Sequence, residues 1–166
     1  MSATITIYEL TASMSGTDKT SGTVRYKLSD DQTVDANDPI TIPSSATTTR
    51  SFHKGLRMYC SVAPDTNLSG YAVYSDNSND FGTGITVNAS NTGVTFSANA
   101  TSELTDGTDL FAFTSGSPMA LDVTDSTAQT ATGFFGDIIK TQMNIASSAS
   151  SGTLAAETLT FSYDEI

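Results

Sequence analysis

The sequence predicts an all-β fold, namely an antiparallel β-sandwich of about ten strands, jelly-roll or immunoglobulin-like, with a barrel as the alternative. Two observations support this prediction. Apolar and polar residues alternate with a period of two in many short segments, whereas helical periodicity is almost absent. Serine and threonine together supply about three residues in ten, and threonine favours pleated strands whereas serine favours turns.

Each expected strand is a short alternating run bounded by turn-forming residues such as glycine, asparagine and aspartate. Within 23–28, for example, the alternation points Arg25 and Lys27 outward, towards solvent. Prolines enclose 39–43, which is typical of an edge strand. The expected strands, in chain order, are 4–10, 23–28, 39–43, 56–62, 70–74, 84–88, 93–97, 109–114, 119–123, 134–145 and 158–163.

One segment has two interpretations. Apolar pairs at 134/135 and 138/139 have nearly helical spacing, so 134–143 could form a helix. Gly136 and the threonines around the segment favour a strand that carries a bulge instead.

The chain has 166 residues, which is the size of one ordinary domain. We expect residues 1–20 to form an N-terminal strand or a polar arm that orders on binding, and residues 21–166 to form the sandwich domain. The low-complexity stretch 147–152 is typical of a flexible loop.

The single histidine and the single cysteine, His53 and Cys60, fall close together in the chain. In a strand over 56–62, Leu56, Met58 and Cys60 share one apolar face, where a cysteine behaves as a small inert hydrophobe. A working thiolate needs a nearby cation and exposure to solvent. We therefore expect Cys60 to be a core residue, and the sequence predicts no enzyme, no catalytic residue and no cofactor.

Two acidic loops offer oxygen ligands at close spacing, as hard cations prefer. The weak calcium candidates are Asp76, Asn77, Asn79 and Asp80, and a second cluster lies within 30–38. Neither loop matches the twelve-residue calcium-binding pattern, because the glycine and the terminal glutamate that the pattern requires are not at the right positions in these loops. A solvated turn is the favoured interpretation of both loops, because such residues hydrogen-bond their own backbone.

Positive charge is concentrated in one place. Of seven lysines and arginines, Arg50, Lys54 and Arg57 fall within eight residues, with His53 among them. A basic spot on an acidic protein is a candidate docking site for an acidic patch on a partner. The alternative interpretation is a few scattered, solvated charges.

The formal net charge is −11, which disfavours both nucleic acid and anionic membrane surfaces as partners. No run approaches the roughly 18 apolar residues of a membrane-spanning helix. The start of the chain lacks a basic segment followed by an apolar core, so we expect synthesis in a reducing cytoplasm without a secretory signal.

The composition and the two ends resemble the small all-β accessory structural proteins of tailed bacteriophage virions, particularly capsid decoration or cement proteins. The resemblance lies in the Ser/Thr/Ala/Gly-rich strands and turns, the start MSATITIYEL, the lack of disulfides and the strand-like end TLTFSYDEI. It covers the whole chain and is compositional.

The resemblance implies a protein made in the host cytoplasm and located in the virion, where many copies bridge neighbouring shell subunits. Its partners would be the major capsid protein or other virion proteins, and it would assemble as a homo-oligomer. The alternatives are a phage tail, neck or fibre component, or a surface carbohydrate-binding or adhesive β-sandwich.

Overall fold

A computed structural model describes residues 2–98 and 102–166, and nearly all of its regular elements are β-strands. A 3₁₀ turn, Leu110–Ala112, lies between the seventh and eighth strands. No helix within the two described ranges is long and apolar enough to cross a membrane. The strands are β1 (Thr4–Leu10), β2 (Gly16–Asp18), β3 (Thr48–Arg50), β4 (Lys54–Val62), β5 (Leu68–Ser75), β6 (Ile85–Asn91), β7 (Thr108–Asp109), β8 (Met119–Ala120), β9 (Gly133–Ala146) and β10 (Leu159–Glu165).

The strands form two antiparallel sheets of unequal size. The large sheet has seven strands in the order β2-β1-β4-β9-β6-β7, with β3 also paired to β9. The small sheet has three strands in the order β10-β5-β8. The sheets share one apolar core and neither closes on itself in the described part of the chain, so the predicted all-β sandwich is confirmed and the barrel alternative is not adopted.

The core is built from alternate residues of facing strands. Leu56 and Met58 of β4 pack with Ile139 of β9 on the large sheet, against Tyr71 and Val73 of β5 on the small sheet. All five side chains are at most 4% exposed. Burial of each such side chain contributes about 1.5–3 kcal/mol.

The ambiguous segment forms strand β9, as the glycine and threonines indicated. Leu56 pairs with Ile139 but Met58 pairs with Phe135, so β9 carries extra residues opposite Arg57. Gly136 sits in this bulge at φ +66°, a left-handed conformation that glycine adopts readily. The predicted strand with a bulge is therefore confirmed over the helix.

Four expected strands are not formed as predicted. Segments 23–28, 39–43 and 93–97 are irregular, although 23–26 and 39–42 keep the alternating burial of a strand, and most of 109–114 is the 3₁₀ turn Leu110–Ala112. A strand requires a continuous ladder with a neighbouring backbone, whereas the irregular segments make at most isolated backbone hydrogen bonds among the described residues, such as that from the Leu28 N–H to the Asp38 carbonyl oxygen. Conversely, the three-residue strand Thr48–Arg50 was not predicted, because so short a run has no readable period.

The N-terminal segment is part of the large sheet. β1 pairs with β4 along its whole length, and β2 folds back on the second half of β1. The Ser2 hydroxyl and the Ala3 backbone N–H both donate to the Glu165 carboxylate at the other end of the chain. Met1 lies outside the described residues.

Candidate docking surface

His53 and Cys60 are both buried. The Cys60 thiol lies in the core at 0% exposure, as predicted, and donates to the Val62 carbonyl oxygen at 3.1 Å. Burial raises the pKa of Cys60. Burial, reinforced by the charge of Lys140, lowers the pKa of His53 against the opposing effect of nearby hydrogen-bonding groups. Both shifts favour the neutral forms, which is the opposite of what a thiolate–imidazolium pair requires.

The predicted basic docking site requires a correction, because its residues do not form an exposed patch. His53 is 2% exposed and Lys54 is 1% exposed. The Lys54 ammonium lies 2.8 Å from a carboxylate oxygen of Glu9 and donates to the Asp31 carbonyl oxygen at 2.6 Å. Its charge is thus used to join β4, β1 and the loop after residue 27.

The two arginines of the predicted patch are also engaged within the chain. Arg57 donates to Asp125 at 3.0 Å and to the Gly136 carbonyl oxygen at 2.8 Å. Arg50 pairs with Glu103 at 2.8 Å, and this pair is the more exposed of the two. Proximity in sequence therefore did not produce a shared basic surface.

Lys27, expected to point outward, is 0% exposed. Its ammonium lies 2.5 Å from Asp31 and 2.7 Å from Asp35. The hydrogen bonds from Lys27 are the largest cause of the lowered pKa of both aspartates. Aspartates of the acidic cluster within 30–38 thus bind the ammonium of Lys27. In the same loop, the Gln32 amide donates a hydrogen bond to the Glu9 carbonyl oxygen.

The calcium candidates lie in a turn in which the aspartate side-chain oxygens accept hydrogen bonds from groups of the same turn. Asp76 accepts from the Ser78 N–H at 3.0 Å, and Asp80 accepts from the Ser78 hydroxyl at 2.7 Å. Asn79 donates to the Ile85 carbonyl oxygen, and Asn77 adopts φ +71°. Among the described residues, no group of three or more His, Cys, Asp or Glu side chains is placed to hold a metal ion.

An aromatic cluster occupies the outer face of the large sheet, where the sequence did not single out a site. Tyr8 of β1, Tyr59 of β4 and Phe134 of β9 contact one another with ring centroids 5.0–5.4 Å apart. The Arg57 guanidinium lies 5.9 Å from the centre of the Phe134 ring. Phe134 is 40% exposed, and both tyrosines are partly exposed.

Strand register brings the aromatic cluster together. Tyr59 pairs directly with Phe134, and Tyr8 pairs with Arg57 on the neighbouring strand. Cross-strand neighbours on one face interact, and edge-to-face aromatic pairs add about 0.5–1.5 kcal/mol. The outward position of each ring follows from alternation, but their meeting depends on register, which the sequence does not reveal.

The aromatic cluster is an open, apolar part of this outer face. Beside it, Phe96 packs with Leu10 and Ile138 and covers the face, with its ring against Gly55. Aromatic residues and arginine are enriched at the centres of protein interfaces, whereas the rest of this surface is rich in hydroxyls and carboxylates. The cluster is therefore the candidate docking surface of the molecule.

The inner face of the large sheet has a second notable feature, a cleft of about 950 Å³. It lies where the small sheet does not reach and where irregular segments cover the core. Its apolar lining includes Ile7, Leu56, Met143, Ile145 and Phe161.

Comparison of the chain with protein-family models, curated proteins and solved structures gave no match.

Proposed function

We propose that this protein is a structural protein of a tailed-bacteriophage virion, of the capsid decoration type, that stabilises the head by bridging shell subunits. The observation that carries this proposal is the exposed cluster of Tyr8, Tyr59 and Phe134 beside Arg57. Large rings held on three adjacent strands form a rigid apolar contact, and such residues dominate binding energy at interface centres.

The internal use of charge also supports a structural role. Ion pairs within the described residues engage Lys19, Lys27, Arg50, Lys54 and Arg57, five of the seven lysines and arginines. These pairs fasten loops to the sandwich, so the outer surface keeps a large acidic excess. An acidic surface suits a partner with basic residues around an apolar contact, as the major capsid protein would have in this proposal.

Attachment in many copies would make a modest contact sufficient. Each copy that touches two shell subunits binds the second with a high effective concentration, so avidity strengthens the attachment without a large interface. The proposal therefore requires a stiff module with a small apolar docking surface.

The docking surface is tested with two variants, Tyr59→Ser and Phe134→Ser, and a control, Tyr74→Ser, on the small sheet. Purified virions stripped of the protein are incubated with each variant, and retained protein is quantified. We expect each cluster variant to bind about tenfold more weakly or worse, since interface-centre aromatics contribute 2 kcal/mol or more. The control should bind like the unchanged protein, and circular dichroism checks that all variants remain folded.

Folded cluster variants that bind as well as the control would overturn the role of this surface. The copy number in intact virions separates the proposed functions. Hundreds of copies over the head support decoration, whereas six or twelve at a vertex or tail indicate a tail, neck or fibre component. Absence from virions together with sugar binding by the isolated protein would favour the adhesive sandwich.

A further inference from the structure

The small sheet is narrower than the large sheet and covers only part of its inner face. The rest of that face is covered by irregular segments whose residues alternate in burial as in a strand but do not pair as strands. Within 23–26 and 39–42, partly buried residues alternate with exposed ones. Val24, Tyr26 and Ile40 contact the core from these segments. Neither segment makes a backbone–backbone hydrogen bond within the described residues. The second layer of the sandwich is thus incomplete on this side.

The small sheet ends here in a free strand edge. β10 pairs with β5 on one side only, and seven residues of its other edge have no strand partner in the described part of the chain. Asn67 and Ile166 exchange both backbone hydrogen bonds. Alternation along an antiparallel ladder then points the backbone groups of Phe161 and Tyr163 to the free edge.

A groove runs beside this edge and continues into the cleft. A cavity of about 310 Å³ is lined by Ile5 and Ile7 of β1 and by Leu159, Phe161 and Tyr163 of β10. Ile7, Leu159 and Phe161 also line the 950 Å³ cleft. An unpaired backbone edge beside an apolar groove is the arrangement to which an extended peptide adds as a strand.

Charge indicates which chain can occupy the groove. Carboxylates lie at both ends of β10, with Glu157 before it and Asp164 and Glu165 at its end. If two copies paired their β10 strands antiparallel around Phe161, Glu157 would lie opposite Glu165. Like charges directly opposite one another destabilise a strand pair, so a second copy is disfavoured.

We propose that the edge of β10 accepts an extended segment of a different protein, with apolar side chains at alternate positions and lysine or arginine at both ends. The added strand would widen the small sheet, place its apolar side chains in the cleft and supply backbone partners at Phe161 and Tyr163. This rests on the proposed function only in that the shell would supply the donor segment.

The test uses the full chain and a synthetic nine-residue peptide with isoleucine at alternate positions, threonine between them and lysine at both ends. Fluorescence anisotropy measures binding, and amide hydrogen exchange measures protection. We expect saturable binding, with exchange at Phe161 and Tyr163 slowed about tenfold or more. The same peptide with N-methyl groups on the pairing edge should not bind, because it cannot form the ladder.

Matched variants test the charge argument. Glu157→Gln combined with Asp164→Asn should weaken peptide binding about fivefold, and a peptide ending in glutamate should bind still more weakly. The control, Asp106→Asn, removes an exposed carboxylate outside the groove lining and should leave binding unchanged.

Three results would overturn the inference: no binding of the lysine-ended peptide, equal binding of its N-methylated form, or slow exchange at Phe161 in the free protein because a second copy already covers the edge. Equal binding of the N-methylated form would instead identify the cleft as a site for apolar groups alone. The Tyr59→Ser variant should keep full peptide binding, so failure here is distinguishable from failure of the proposed docking surface.

Discussion

Lys54 and Arg50 lie four residues apart but in different surroundings. The Lys54–Glu9 pair is 2% and 1% exposed, whereas the Arg50–Glu103 pair is 28% and 55% exposed. A buried charge that loses its partner is left without solvation, while water compensates an exposed one. We therefore expect the Lys54–Glu9 pair to matter much more for the stability of the fold than the Arg50–Glu103 pair, although Lys54 and Arg50 lie in one basic cluster of the sequence.

Replacing each basic residue by methionine measures this difference. We expect Lys54→Met to lower the free energy of unfolding by about 3–5 kcal/mol, because the buried Glu9 carboxylate then keeps one ion-pair partner among the described residues, Lys19 at 3.5 Å. The matched control, Arg50→Met, should cost about 0–1 kcal/mol. Urea denaturation at pH 7 measures both.

Similar small losses for the two variants would contradict the buried ion pair. Combining Lys54→Met with Glu9→Leu should recover much of the loss, since the buried carboxylate is removed and Lys19 keeps its hydrogen bond to the Gln32 carbonyl oxygen. A double variant as unstable as Lys54→Met alone would assign the loss to packing instead.

The residues misplaced from the sequence are cations that form ion pairs within the chain, with partners either nearby or distant in sequence. Lys27 was assigned to solvent by alternation, but Asp31 and Asp35 fold around its ammonium. Alternation predicts which way a side chain points only if the segment is a paired strand, and 23–28 is not. Cys60 was placed correctly, because its neighbours at alternate positions are all apolar.

The β9 bulge joins the large sheet to the 123–125 loop. Asp137, the residue after Gly136, accepts hydrogen bonds from the backbone N–H groups of 123–125 at 2.8–3.0 Å and from the Asn91 side chain. Burial alone would raise the pKa of Asp137, but these hydrogen bonds outweigh it and lower the pKa. The bulge thus positions one carboxylate that orders a loop without strand pairing.

Gly136 is the residue on which this bulge depends. Its φ of +66° is strained for other residues, and an added Cβ would lie 3.1 Å from the Leu121 carbonyl oxygen and 3.3 Å from the Tyr71 ring. We expect Gly136→Ala to lower the free energy of unfolding by about 2–4 kcal/mol, from backbone strain and crowding together. Chemical denaturation provides the measurement.

Gly82 is the matched control for backbone strain. Its φ is +94°, but a Cβ there would meet nothing within 4 Å. Gly82→Ala should therefore cost only the backbone term of about 1–2 kcal/mol. Equal losses of unfolding free energy for Gly136→Ala and Gly82→Ala would mean that the added Cβ at Gly136 is not crowded by Leu121 and Tyr71.

Alternation of apolar and polar residues predicted the long strands of the sheets. β1, β4, β9 and β10 were located closely, because each has a run of alternating residues long enough to read. Segment 93–97 was also read as a strand, but it crosses the outer face and places Phe96 on Gly55. The register that assembles the aromatic cluster, and the width of each sheet, depend on pairing between distant segments and could not be read from local pattern.

At the scale of the whole molecule, the distribution of charge affects the stability of the fold. Five of seven cations are engaged in ion pairs inside the described structure, and the net charge of −11 is therefore spread over the surface mainly as carboxylates. Self-repulsion of this kind destabilises a compact state. It also disfavours close contact between copies of the isolated chain.

Salt should therefore stabilise the isolated protein. Raising NaCl from 10 mM to 150 mM shortens the Debye length from about 30 Å to about 8 Å, which screens repulsion between exposed carboxylates but hardly affects the buried Lys54–Glu9 pair. We expect the melting temperature to rise by about 2–4 °C, equivalent to roughly 1 kcal/mol. Asp76→Asn combined with Asp106→Asn should reduce the salt effect, because both carboxylates are exposed. A melting temperature that falls with salt would mean that attractive surface pairs, rather than repulsion, dominate the electrostatics of the fold.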